Sequence, residues 1–125
     1  MSLWLVQAGS HGEYEKQFLD ENRIYLTWDG LNQNLNRIES RDQLKELLSD
    51  MYQEASKNAI INWHGQIWAF VKSMELEDWF ILPSKHKPAI HLGKIIGSYK
   101  YDESAQNPYY HYRAVEWLAM DIPRT

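Results

Sequence analysis

Ile60-Ile61-Asn62-Trp63-His64-Gly65-Gln66-Ile67-Trp68-Ala69-Phe70-Val71-Lys72-Ser73-Met74 is the stretch on which the fold turns. Trp63, Ile67, Phe70, Val71 and Met74 recur at three and four residues, the spacing that stacks side chains on one face of an α-helix, so 62–74 is expected to be a helix with that face buried. Asn62 suits the N-cap of this helix, because its side-chain oxygen can accept from N–H groups of the first turn. After the acidic turn Glu75-Leu76-Glu77-Asp78 the pattern changes. Trp79-Phe80-Ile81-Leu82 and 90–99 are rich in strand formers, and between them lies Pro83-Ser84-Lys85-His86-Lys87-Pro88, a loop restricted by its two prolines. A connection this short cannot hold a crossover helix, so the two strands should run antiparallel.

Outward from this stretch the periodicity continues. Residues 109–118 read as a last strand, with Tyr109, His111, Arg113, Val115 and Trp117 on one face and Tyr110, Tyr112, Ala114, Glu116 and Leu118 on the other. Upstream, Ser40 and Gln43 have capping-box spacing, and Leu44, Leu47, Leu48 and Met51 trace a second amphipathic helix. Residues 24–28 form a strand stopped by Asp29-Gly30. Residues 3–8 form another, whose apolar character and Trp4 predict a central position. Gly9-Ser10-His11-Gly12 turns the chain into a short helix with Tyr14, Phe18 and Leu19 on one face. The order strand, helix, strand, two helices, three strands predicts one α+β domain over 1–125: a small curled, mainly antiparallel β-barrel with flanking helices.

Composition narrows the chemistry. The chain has 125 residues and no cysteine, which excludes a disulfide framework, a thiolate metal site and a cysteine nucleophile. That usage, with short apolar runs and no signal-peptide pattern at the start, predicts a soluble, cytoplasmic protein. Six Trp, eight Tyr and three Phe exceed what a core of this size requires, and such rings build stacking surfaces. Net charge is −4, yet residues 79–101 hold four lysines and no acid; subtracting those +4 leaves −8 on the remainder. This division predicts a one-sided molecule with a basic rim, although lysines on solvated strands are also ordinary.

No catalytic constellation emerges. The five histidines lack ligand spacing, so neither metal nor cofactor is expected. Ser10, Ser84 and Ser98 lack the glycines of a nucleophile elbow, and residues 9–12 do not continue as a phosphate loop. Lys72, Glu75 and Asp78 run in the wrong order for a metal-dependent nuclease centre, and Asp102-Glu103 has no lysine following closely. Trp28-Asp29-Gly30 differs, because a ring and an acceptor side by side at a strand end can stack on a base and read its edge; the same residues can equally serve as a core ring and a turn. The Asn62 and Gln66 amides pose the same pair of readings.

Trp4-Leu5-Val6, Trp28-Asp29-Gly30, Gln66-Ile67-Trp68 and a hydrophobic strand after Asp78 resemble, in order and spacing, the PUA-like fold and its EVE branch. Ile61-Asn62-Trp63, Asp78-Trp79-Phe80-Ile81-Leu82-Pro83, residues 93–99, residues 111–117 and Ile122-Pro123-Arg124 further resemble the N-terminal module of Mrr-type restriction proteins. The resemblance covers nearly the whole chain and departs at Glu77, where the family pattern usually has glycine; a turn needing positive φ would be strained there. It implies a DNA reader of a restriction or phage-defence system, with a C-terminal nuclease domain of the PD-(D/E)xK class following in full-length relatives. EVE and related YTH domains receive an extruded, modified base in an aromatic pocket. On that reading Trp28 and either Trp63 or Trp68 wall the pocket, Asp29 and Ser84 read the base edge, Tyr99 forms a lip, and Lys85, Lys87, Lys94, Lys100 and Arg113 hold phosphates. The alternative is a protein-interaction or regulatory module using exposed aromatics.

Overall fold

The computed structural model describes residues 2–124. Its elements are β1 (Leu3–Leu5), α1 (Glu15–Glu21), β2 (Arg23–Leu26), α2 (Arg41–Met51), α3 (Lys57–Trp68), β3 (Trp79–Pro83), β4 (Ala89–Ile95), β5 (Lys100–Tyr101) and β6 (His111–Pro123); α3 runs on into a π-helical turn, Ala69–Ser73. The strands form one six-stranded sheet in the order β1-β3-β4-β6-β2, with β5 also on β6. Among the described residues only β1 and β3 are parallel; every other pairing is antiparallel.

The thirteen-residue β6 makes the sheet curl. Its first half pairs with β2 and β5 and its second half with β4, and register shifts near Leu92 bend the β4–β6 ladder. Beyond Ile95 the backbone turns off the ladder, with the N–H groups of Ile96 and Gly97 both donating to the Ala114 carbonyl. The expected strand over 90–99 therefore splits into β4 and the short β5. The result is a half-barrel: β1 and β2 end the strand path without pairing to one another. Its concave face holds Ile24, Phe80, Leu82, Ile95 and Val115, and α2 and α3 add Leu44, Leu48, Ile60 and Ile67 to the same core.

Local chemistry explains the helices. Ser40 Oγ accepts from the Gln43 N–H at 3.1 Å, while Gln43 Oε1 accepts from the Glu39 N–H at 2.8 Å, so the predicted capping pair starts α2. The helix α3 begins earlier than expected, because Ser56 Oγ caps it by accepting from Ala59 N–H. Asn62 thus lies inside the helix, on an exposed face, and is not its cap. The predicted central position of the first strand is also corrected: β1 ends the strand path, and Leu3 and Leu5 are 62% and 68% exposed.

Glycine contacts fix two close approaches. Gly93 lies opposite Phe80 across the β3–β4 pair, and a Cβ there would stand 2.3 Å from the Phe80 ring, so glycine lets that ring lie flat on the strand. Gly97 packs less closely, a Cβ there standing 3.0 Å from the Ala114 Cβ, where β4 leaves β6. Glu77, in the turn before β3, has φ 76°, the left-handed region in which a side chain is strained. Its carboxylate is mostly exposed and pairs with Lys94 at 3.4 Å, a surface contact worth little. Glu77→Gly is therefore expected to stabilise the fold by about 1 kcal/mol, read as a raised midpoint in denaturant unfolding; a lowered midpoint would show that the turn gains more from the carboxylate than it loses in strain.

Candidate functional site

The unclosed side of the half-barrel holds a cleft of about 840 Å³. One wall is β1 and its continuation through Gln7, a second is the end of β2 with Thr27, Trp28 and Asp29, and α3 with the π turn closes the third side through Ile61, Asn62, Trp63, Gln66, Phe70 and Met74. The turn bearing Gly9, Ser10, Glu13 and Tyr14 borders the mouth. Six rings line it: Trp4, Tyr14, Tyr25, Trp28, Trp63 and Phe70.

Three of these rings are held from outside the cleft. Because Leu3 and Leu5 face outward, the alternation of β1 turns Trp4 the other way, and its indole Nε1–H donates to Asp78 Oδ2 at 2.9 Å. Asp78 is buried and also accepts from the N–H groups of Ser2 and Glu75, both at 3.0 Å. Burial pushes its carboxyl up, but those three donors outweigh burial and hold it below the usual carboxylate range. Trp63 meets Tyr52 edge-on at 5.6 Å, and Tyr52 donates its hydroxyl to the Asp29 carbonyl at 2.6 Å. Tyr14 is set edge-on against Tyr109 at 5.6 Å.

Polar groups occupy the mouth. Asn107 Nδ2 donates to Asp29 Oδ1 at 2.7 Å, while Asn107 Oδ1 accepts from the Gly30 N–H at 2.8 Å, so one amide fixes the Asp29-Gly30 turn. Gln66 Nε2 donates to Asn62 Oδ1 one helical turn away at 3.3 Å, leaving other faces of both amides open. Glu13 Oε1 accepts from the His11 N–H at 2.9 Å. Gly9 permits this fold of the turn: its φ is 86°, and a Cβ there would lie 2.2 Å from Glu13 Oε1.

Of the predicted base-binding set, Trp28, Asp29 and Trp63 meet at this cleft. Trp68 does not. It lies five residues beyond Trp63, ~140° around the helix, where it packs toward Leu35, Ile38 and Leu44 with the Arg41 guanidinium 5.4 Å above its ring. Ser84 is buried elsewhere, its hydroxyl donating to Glu15 Oε2 at 3.1 Å and accepting from the His86 N–H. Tyr99 is no lip: its hydroxyl donates to His111 Nδ1 at 2.7 Å and accepts from the Leu35 N–H at 3.2 Å. His111 in turn donates from Nε2 to the Leu31 carbonyl, and burial holds its pKa below the ordinary histidine value. The ring is a neutral brace between β6 and the segment after β2.

The predicted phosphate-binding set is dispersed. Arg113 is buried, and its guanidinium donates to the carbonyls of Phe70 at 2.8 Å, Gly97 at 3.1 Å and Val71 at 3.4 Å, so it clamps the π turn to the sheet and has no reach to a phosphate. Lys87 pairs with Asp121, and Lys94 with Glu77. Lys94 stands at the far end of the seven-residue β4 from Lys87, roughly 20 Å of strand away. Lys100 lies on β5 opposite Tyr112. Lys85 alone of the set approaches the cleft's border, its Cβ packed against Gly12. None of the five lines the cleft.

Trp4, Tyr14, Glu13 and Gln7 are cleft residues that the sequence reading did not place there. In β1 the run Leu3-Trp4-Leu5-Val6 is apolar throughout, so no alternation reveals that Trp4 faces inward. Among the described residues no three His, Cys, Asp or Glu side chains gather to hold a metal, and no helix is long and apolar enough to cross a membrane.

The chain belongs to the family described as Domain of unknown function (DUF8426). The family model matches residues 4–125, a span that contains every residue lining the cleft. No curated protein and no solved structure matches the chain.

Within this DUF8426 domain Asp78 couples folding to pH. A carboxyl whose folded pKa is depressed contributes stability that is full above its unfolded value and lost as pH falls through the folded one. Asp78→Asn presents an amide NH2 to at least one of three donors, and is expected to cost on the order of 3 kcal/mol at pH 7. The loss should shrink as the pH falls below about 4, measured by denaturant unfolding across pH; a pH-independent difference would mean that the carboxylate charge contributes nothing.

Proposed function

We propose that this domain is a non-enzymatic nucleic-acid reader that accepts a single base, turned out of its stack, into the cleft between β1, β2 and α3. The aromatic cleft is the observation that carries the reading. Its volume is in the range of small-molecule sites, flat ring walls reward any base with a π face, and the Asn62 and Gln66 amides and the Asp29 carboxylate offer donors and acceptors for a base edge. Unstacking costs a few kcal/mol, which stacking on protein rings and edge contacts offset. The resemblance to PUA-like and EVE domains supports the same assignment, with DNA bearing a modified base as the ligand, a cytoplasmic restriction or phage-defence system as the setting, and a C-terminal nuclease domain as the partner in longer relatives. Lys85, beside the turn at the mouth, is the residue of the basic set best placed to meet a flanking phosphate.

Stacking and packing are separable here by experiment. Trp63→Ala is expected to weaken binding of a base-extruding DNA by about 1–3 kcal/mol while the protein remains folded, whereas Trp68→Ala should lower the unfolding midpoint and leave binding of the folded protein unchanged. Equal effects of the two substitutions on affinity would remove Trp63 from the binding surface.

A second reading rests on the convex side of the sheet. Leu3, Leu5, Trp79, Leu118 and Met120 are exposed on β1, β3 and β6 with no helix covering them, which suits a protein-interaction module. Paired Leu5→Lys and Met120→Lys substitutions that leave DNA binding intact but abolish a protein contact would favour it. Loss of DNA binding in that variant would count against both assignments as stated.

A further inference from the structure

The cleft's charge has one sign. Glu13 and Asp29 stand at its mouth, and among the described residues no Lys, Arg or His side chain lines it. Asp29 uses Oδ1 on Asn107, and Glu13 uses Oε1 on the His11 N–H, so each carboxylate keeps a second oxygen for a ligand. Backbone N–H groups of Glu13 itself and of His11 hold the Glu13 carboxyl below the ordinary carboxylate range. Aromatic faces such as Trp4, Trp28 and Trp63 carry negative potential and attract a cation set over them, the more so where water is excluded. Carboxylates and ring faces thus act with one sign, and nothing in the lining offsets them.

We infer that the ligand of this cleft is an N-methylated nucleobase that is cationic at neutral pH, its positive charge delocalised over the ring, and that Glu13 and Asp29 distinguish it from its neutral counterparts. This rests on the base-reader assignment and sharpens it. A delocalised cation satisfies both features together: the flat ring stacks on the tryptophans, and its charge lies where two carboxylates meet the mouth. A neutral base gains the stacking alone. An anionic group, a phosphate included, is repelled from the interior, so the backbone of the nucleic acid must stay outside while the base enters. The volume of about 840 Å³ and the paired amides on α3 favour a purine- or pyrimidine-sized ring over a lone methylammonium head, which needs neither the room nor the edge-reading groups.

Isomeric nucleosides isolate the charge. At neutral pH 1-methyl-2′-deoxyadenosine is a cation and N6-methyl-2′-deoxyadenosine is neutral, and they share the same heavy atoms; 3-methyl- and 5-methyl-2′-deoxycytidine form a second such pair. None carries a phosphate, so only the cleft is probed. Quenching of tryptophan fluorescence on titration should show the cationic member of a pair binding about tenfold or more tightly. The double variant Glu13→Gln, Asp29→Asn should abolish that ratio, the cationic member losing affinity relative to the neutral one, since both replacements remove the charge and retain the acceptor oxygen that the fold uses. Equal affinity for both isomers in the unaltered protein would overturn the inference and leave the base-reader assignment standing. A ratio unchanged in the double variant would also overturn it. Binding of a trimethyllysine peptide with no response to any nucleoside, or no response to either class, would overturn both.

Discussion

Two buried opposite charges, Asp78 and Arg113, hold the half-barrel in the shape that leaves the cleft open. Asp78 gathers donors from the segment of β1, from Trp4 and from the turn after the π-helix, while Arg113 reaches from β6 to the carbonyls of Phe70, Val71 and Gly97. Burying either charge alone is costly. Here each is satisfied mainly by backbone dipoles; burial pulls the Arg113 pKa below its ordinary value, and the Asp78 carboxylate offsets part of that pull. The π turn makes the second half of this arrangement possible. A helix end leaves its last carbonyls without helical partners, and the Arg113 fork satisfies two of them while fixing where Phe70 and Met74 meet the cleft.

A second buried network lies away from the cleft. Glu15 Oε2 accepts from Ser84 and from His91 Nε2, and His91 Nδ1 accepts from the Asp121 N–H, joining α1, the β3–β4 loop, β4 and β6. Ser, His and acid are therefore close together, but the acid lies between the other two and the hydroxyl is buried, so no base is directed at a nucleophile. The network explains why Ser84, expected at a binding edge, is absent from the cleft: its hydroxyl is committed to a buried acid. The same economy applies to Tyr99 and His111, whose polar atoms bond to each other and to Leu35 and Leu31.

For binding, the consequence is a site in which three of the six rings are held from behind. Trp4 is oriented by its indole N–H, Trp63 by Tyr52 and Tyr14 by Tyr109. Rings fixed in this way lose little rotamer freedom when a ligand arrives, so more of the stacking energy is available as affinity. The lysine-rich segment does not surround them. Two of its four lysines are paired with acids, which makes the acidic character of the mouth the dominant electrostatic feature of the site.

Periodicity by itself determined the alternation of helices and strands up to β3, most of the buried stripe shared by α3 and the π turn, the Ser40 cap of α2 and which residues of β6 share a face, because helix and strand repeats are local properties of the chain. The turn at Glu77, which has positive φ, was flagged by the family resemblance and not by periodicity, and Trp28, Asp29 and Trp63 of the expected pocket set meet at the cleft. The sequence reading misplaced Asn62, since Ser56 offers an equally good cap six residues earlier and is the one used. It could not tell Trp63 from Trp68, because which side of α3 faces the open edge and which faces α2 depends on how the helices dock. Arg113, Ser84 and Tyr99 carry polar groups that suit either a ligand or a buried partner, and their commitments are to residues far away in sequence. Only the tertiary structure decided those partners, and with them the open edge between β1 and β2, because the closure of a sheet depends on pairings across the whole chain that no local pattern records.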